Sequence, residues 1–315
     1  MSADRLAVLF PGQGCQFVGM GVDLSASVEA QQTFSQADDI LGFYLSRLCL
    51  QGPAELLNET SNTQPAVYVT SVALWRALAP RREGLCSRIA YFAGHSLGEF
   101  TALTAAGALP FEQGVRLVFA RGEAMREAGA SAPGGMAAII GLEAEAVAAA
   151  VAEAGGAEAG VWVANDNAPG QVVIAGQRGA LARAMELAQA RGAKRALPLA
   201  VSVACHTPLM AAATARLGEE LAQTSFQRPW APVVSNVSAT PLQEPEEIKT
   251  ALLQQLISPV RWVESVQCIA ADGVSAMIEV GPKAVVSGLV KRIAPEMALH
   301  TISTAAEIAA FQIGA

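Results

Sequence analysis

The stretch Ile89-Ala90-Tyr91-Phe92-Ala93, Gly94-His95-Ser96-Leu97-Gly98 and Phe100 to Ala106 joins an apolar run, a serine between two glycines, and a helix-like segment. Strand, sharp turn and helix in that order form a nucleophile elbow, which makes Ser96 the first candidate for covalent chemistry. A side chain at either flanking glycine would collide where the chain reverses, whereas glycine leaves the serine hydroxyl clear of its own backbone. The N–H of Leu97 then lies at a helix start, free to stabilise an oxyanion.

Outward from the elbow, strands and helices alternate. Leu6 to Phe10 predicts a short strand that stops at the loop Pro11-Gly12-Gln13-Gly14-Cys15-Gln16, and Pro65 suits the first helical position of a periodic segment, Ala66 to Leu78. A helix is expected over Phe111 to Ala128. After a break at Ser131-Ala132-Pro133-Gly134-Gly135 the pattern changes: strand Met136 to Ile140, helix Glu143 to Ala154, strands Val161 to Ala164 and Val172 to Ala175, helix Ala180 to Ala190, strand Arg195 to Val201. That β-α-β-β-α-β order is the ferredoxin-like split unit. The first pattern then resumes with helix Pro208 to Ala222, strand Val233 to Asn236, helices near Glu246 to Leu256 and Val263 to Ala271, strand Ala276 to Val280 and helix Val285 to Ile293. The expected fold is α/β: a large α/β-hydrolase-like unit with a largely parallel sheet over residues 1–130 and 202–315, and an inserted ferredoxin-like unit over 131–201.

With 315 residues, 52% hydrophobic and 16% charged, the chain can bury a large core, and the composition argues against disorder. No apolar run reaches the roughly 18 residues of a membrane span, and Met1 to Arg5 lacks the features of a signal peptide, so a cytoplasmic location is expected. A net charge of −7 argues against a general nucleic-acid surface. Cys15, Cys49, Cys86, Cys205 and Cys268 are widely spaced without a C-x-x-C, which points to buried free thiols rather than disulfides or zinc.

A serine hydroxyl needs a base, so the chain's 3 histidines compete for that role. His95 should point away from its neighbour Ser96 and reads as a supporting group, while His300 in the strand-like Leu299 to Ile302 reads as structural. His206 follows Val201-Ser202-Val203-Ala204-Cys205 at the end of an apolar run, where α/β enzymes place functional side chains, and is the expected base. Its neighbour Cys205 reads as a small buried residue. Arg121 falls on the apolar stripe Val115, Val118, Met125. There it either completes a structural ion pair or awaits a carboxylate or phosphate.

The glycine loop matches neither phosphate-binding spacing, so its amides are read as a possible second oxyanion donor. His95 and Glu99 are four apart but lack a third ligand, so no metal site is expected, and Glu99 reads as complementing its helix N-terminus.

Seven stretches together carry a resemblance: Phe10 to Gly14, Gly94 to Glu99, Arg121-Gly122, Asn165 to Gly176, Gly192 to Val203 with His206, Ser258-Pro259-Val260-Arg261-Trp262 and Glu279-Val280-Gly281-Pro282. In this order, over almost the full length, they resemble the malonyl-CoA:acyl-carrier-protein transacylase family. The resemblance implies Ser96 as acyl-accepting nucleophile, His206 as base, Arg121 as partner of the malonyl carboxylate, and the amides of Gln13 and Leu97 as oxyanion hole. It also implies that the main-chain carbonyl of Gln255 orients the imidazole, and that Asn165 and Asn167 face the cleft. The substrate is then malonyl-CoA, the partner acyl carrier protein and the setting fatty acid synthesis, with no permanently bound cofactor and a monomeric chain. Stand-alone polyketide acyltransferases and malonate decarboxylase malonyltransferases share the motifs, and a serine hydrolase would share the elbow. Cys15 and Cys205 stand where the family often has serine. An acidic carrier calls for a local basic surface, expected from Lys194, Arg195, Lys283, Lys291 and Arg292.

Overall fold

The computed structural model describes residues 5–79, 83–201 and 203–312. Met1 to Asp4, and Ser202 at the expected junction of the two units, lie outside these. Eleven strands are present among the described residues: β1 Arg5–Phe10, β2 Ile89–Gly94, β3 Gly134–Ile140, β4 Val161–Ala168, β5 Gln171–Gln177, β6 Arg195–Pro198, β7 Val233–Val234, β8 Pro241–Leu242, β9 Val260–Arg261, β10 Val274–Val280 and β11 Ala298–Ile302.

They form two sheets. The first runs β11-β10-β1-β2-β7-β8 and is parallel except for its last pair. Its central strands are apolar on both faces: Ala7, Val8, Leu9 and Phe10 are fully buried, as a parallel sheet covered on both sides requires. The second runs β6-β3-β5-β4-β9. Its β3, β4, β5 and β6, with helices Ala144–Glu153 and Arg178–Ala190, make the antiparallel ferredoxin-like unit around a core of Ala137, Ile139, Val147, Val161, Ile174 and Ala184. Strand β9, from the chain that follows this unit, pairs in parallel with its edge at Asn165 and Asp166, and its Arg261 N–H donates to the carbonyl of Asn236, just past the end of β7.

Several boundaries depart from the sequence reading, each for a physical reason. The helix expected from Ala66 begins at Thr60 and runs to Ala77, with Pro65 inside it. Fifteen of its eighteen residues are buried, so packing outweighs the hydrogen bond that proline removes. Strand β4 continues past Ala164 to Ala168; its polar Asn165-Asp166-Asn167 concealed this, and two register irregularities re-aim those side chains. Strand β6 ends at Pro198, which cannot donate to the ladder, rather than at Val201. Strand β7 stops after Val234 because Ser235 bonds Thr240 and Asn236 turns into the site. The cysteines are unpaired as expected, but Cys86 and Cys268 are only half-buried.

Helix Thr60–Ala77 lies against helix Phe111–Ser131, and glycine sets their separation. A Cβ on Gly122 would sit 2.8 Å from the Cα of Ser61, so only glycine permits this approach. It brings Arg121 within reach of Gln64.

Candidate active site

Strand β2 delivers the chain to the elbow, and helix Leu97–Ala105 carries it away. Ser96, between them, holds φ 52° and ψ −107°, a strained conformation for a non-glycine residue. The flanking glycines make it possible. A Cβ at Gly94 would lie 2.0 Å from the carbonyl carbon of Gly98, and one at Gly98 would lie 2.2 Å from the carbonyl oxygen of Phe10.

Asn236 pins the turn. Its Oδ1 accepts from the Ser96 N–H at 2.6 Å and its Nδ2 donates to the Gly94 carbonyl at 2.7 Å. The Ser96 amide is thereby occupied and unavailable to an oxyanion. By contrast, the N–H groups of Leu97 and Gln13 donate to no acceptor among the described residues.

The Ser96 hydroxyl oxygen is 2.9 Å from Nε2 of His206. His206 also has a positive φ of 61°, is 4% exposed, and its Nδ1 lies 2.9 Å from the main-chain oxygen of Gln255. A carbonyl can only accept, so the proton sits on Nδ1 and the Nε2 lone pair faces the serine. Burial, reinforced by the nearby Arg121 charge, pushes the imidazole pKa down to about 3, so the ring is neutral and able to accept a proton.

Arg121 is fully buried. Its Nη1 donates to Gln64 Oε1 at 2.5 Å and to the Met125 sulfur at 3.4 Å. Its Nη2 donates to Ser96 Oγ at 3.1 Å and to Gln255 Oε1 at 2.9 Å. All four acceptors are neutral, and its Nε has no partner. Burial pushes its pKa down to about 10, which still leaves a cation at neutral pH. A buried guanidinium whose contacts are all neutral retains the capacity to pair with an anion.

The structure therefore brings together Ser96, His206, Arg121 and Gln255, with the amide of Leu97 beside them and Gln13 linked through its side chain. Gln13 Oε1 accepts from Gln64 Nε2 at 3.2 Å. His95 turns away from the serine, as expected: its Nε2 is 2.7 Å from Asn167 Oδ1, and its ring meets the buried Trp262 edge to face. Asn167 thus supports the elbow from β4. Glu99 differs from expectation, since its carboxylate faces Gln255 and the main chain of Asn236 rather than the helix N–H groups.

Gln64 and Asn236 were not anticipated. Gln64 lies ahead of a proline read as a helix start. Asn236 was legible in principle, because a polar residue at the carboxyl end of a parallel strand is a standard site position.

A parallel sheet ending in a serine elbow, with a neutral imidazole and a guanidinium that has no anionic partner both touching the serine hydroxyl, defines a machine for moving an acyl group. The chain belongs to the acyl transferase domain family, whose model matches residues 8–309. It is similar to the malonyl CoA-acyl carrier protein transacylase of Salmonella typhimurium, with 45% identity over 307 residues, 97% of this chain and 98% of that one. Among solved structures it resembles an acyl carrier protein S-malonyltransferase from Vibrio cholerae, with TM-score 0.91 and 45% identity over 98% of this chain and 100% of that one. It also resembles the malonyl-transacylase in a complex with a type II PKS acyl-carrier protein, with TM-score 0.92 and 43% identity over 97% of this chain and 98% of that one.

Proposed function

We propose that this protein transfers a malonyl group from malonyl-CoA to the phosphopantetheine thiol of acyl carrier protein, in fatty acid synthesis, through an ester on Ser96. The observation that carries the reading is the convergence on one hydroxyl of His206 Nε2 at 2.9 Å and Arg121 Nη2 at 3.1 Å.

In the first half-reaction Ser96 Oγ attacks the thioester carbonyl carbon while its proton passes to His206 Nε2. The oxyanion is met by the free N–H groups of Leu97 and Gln13. The C–S bond then breaks, and the imidazolium returns the proton to the departing CoA thiolate. In the second half-reaction the carrier thiol gives its proton to His206 and attacks the ester, and Ser96 recovers the proton as it leaves. The carbonyl of Gln255 suffices to orient the ring because a thiolate leaves readily without a strongly basic catalyst. Arg121 selects carboxylated acyl groups, since an acetyl group brings no charge to pair with the guanidinium.

The acceptor thiol belongs to a carrier that docks on the basic surface of Lys194, Arg195, Lys283 and Lys291, all exposed. Arg292 contributes less, because its guanidinium is tied to Gln171 Oε1 and the Pro169 carbonyl. The protein acts as a cytoplasmic monomer built of the two units 1–130 with 202–315 and 131–201, holding no permanent cofactor; no helix among the described residues is long and apolar enough to cross a membrane.

Intact-mass measurement after exposure to malonyl-CoA tests the reading. A malonyl adduct on wild type that is absent from Ser96→Ala and is discharged by acyl carrier protein is the expected result. Equal loading of both, or multiple-turnover hydrolysis without a carrier, would overturn it.

A further inference from the structure

Gln255 makes more bonds in this site than its main-chain carbonyl requires. Its side-chain Nε2 donates to Glu99 Oε2 at 2.6 Å and to the Ser96 carbonyl at 3.0 Å, while its Oε1 accepts from Arg121 Nη2 at 2.9 Å. An amide nitrogen has two hydrogens, and both are matched to acceptors. Turned over, the amide would set N–H against the guanidinium and oxygen against both Glu99 and the Ser96 carbonyl. Its orientation is therefore imposed from both ends.

Glu99 is the end that the transfer reaction leaves unexplained. It is 2% exposed, and no cation contacts it among the described residues. Burial holds its pKa up at about 7. Protonated or not, Oε2 keeps a lone pair for Gln255. One amide separates this carboxyl group from Arg121, whose charge it still feels. That spacing matters. An acid in direct contact would neutralise the guanidinium and compete with an incoming carboxylate, whereas an acid one residue away holds it in place and leaves it only neutral acceptors, which a carboxylate can displace.

We propose that Glu99 is a positioning residue for acyl-group selection: by fixing the Gln255 amide it holds Arg121 aimed at the Ser96 hydroxyl, where the acyl carboxylate must arrive. This rests on the reading of Arg121 as the partner of that carboxylate. Glu99 itself touches neither substrate nor the reacting atoms.

The test compares full-length wild type, Glu99→Leu, Glu99→Gln and Arg121→Ala. Loading of Ser96 is followed by intact mass with malonyl-CoA and with acetyl-CoA, and the readout is the ratio of kcat/KM for the two. Acetyl loading reports whether the Ser96 and His206 pair is folded and competent. Glu99→Leu is expected to lower the malonyl-to-acetyl ratio at least about tenfold, the loss of one charge-linked hydrogen bond. Glu99→Gln, which keeps an oxygen for Gln255, should restore the ratio to within about threefold of wild type. Should Glu99→Leu yield no folded protein, Glu99→Asp carries the same prediction, because the shorter side chain withdraws the acceptor. A fall in both substrates with the ratio unchanged overturns the proposal, as does an unchanged ratio in Glu99→Leu when Arg121→Ala collapses it. An unchanged ratio in Arg121→Ala removes the carboxylate reading of Arg121 and this proposal together.

Discussion

Replacing Glu99 by glutamine should change how the stability of the protein depends on pH. Burial, working against the hydrogen bonds from Gln255 and Asn236, raises the carboxyl pKa from 4.5 to about 7. The folded state thus holds a proton between these values that the unfolded chain has released, so stability falls as pH rises through this window. The contribution is fully present below 4.5 and lost above about 7. At roughly 1.4 kcal/mol for each tenfold change in proton affinity, it is on the order of 3 kcal/mol, most of it between about pH 5 and about pH 8.

His206 works in the opposite sense. Its pKa falls from 6.5 to about 3, so its contribution is present above 6.5 and lost on acidification. The two slopes oppose each other where they overlap, and the wild-type profile alone hides both. Subtracting the profile of Glu99→Gln, which keeps the shape and the acceptor but cannot ionise, isolates the carboxyl. Urea unfolding of both proteins at about pH 5 and about pH 8 should show the variant gaining about 2 to 3 kcal/mol on wild type at the higher pH. A difference between the two proteins that is the same at both pH values to within about 0.5 kcal/mol would refute the argument.

Gly122→Ala places a methyl 2.8 Å from Ser61 Cα. The strain should exceed the gain in helix propensity, lowering stability by about 1 to 2 kcal/mol in thermal unfolding and reducing malonyl loading more than acetyl loading as Gln64 and Arg121 part. Asn236→Ala frees the half-buried Ser96 N–H and the buried Gly94 carbonyl, both partners of that side chain. Single-turnover acylation should slow by about 10²-fold, the cost of a misplaced nucleophile, with the thermal midpoint also lowered. Glu279→Ala removes a carboxylate that accepts from the N–H groups of Val285, Val286 and Ser287 and from the Ser287 hydroxyl at the start of helix Val286–Ile293. Chemical denaturation should record a loss of about 2 to 4 kcal/mol.

The elbow was readable because glycine spacing and an apolar strand are local signals, and Ser96 sits in the conformation they demand. The ferredoxin-like unit was readable for the same reason: its strands and helices follow one another in the chain, and their apolar positions repeat within each. What escaped was nonlocal. Pro65 is tolerated inside a helix only because neighbours bury that helix on every side. Asn165 to Asn167 look like a loop until β9 and β5 pair with them. The side-chain roles of Gln64, Gln255 and Asn236 depend on which groups meet across 57, 134 and 140 residues of chain, and no period or motif encodes such a meeting.

Strand β9 also ties the elbow to the second sheet. Its Arg261 N–H bonds the carbonyl of Asn236 at 2.9 Å, and that same Asn236 grips the elbow, while the strand itself is laddered to β4. A jaw-like parting of the two sheets would tear this seam and drag the nucleophile out of register. The same few main-chain bonds therefore couple the Asn236 side chain, and through it the turn that carries Ser96, to the edge of the second sheet.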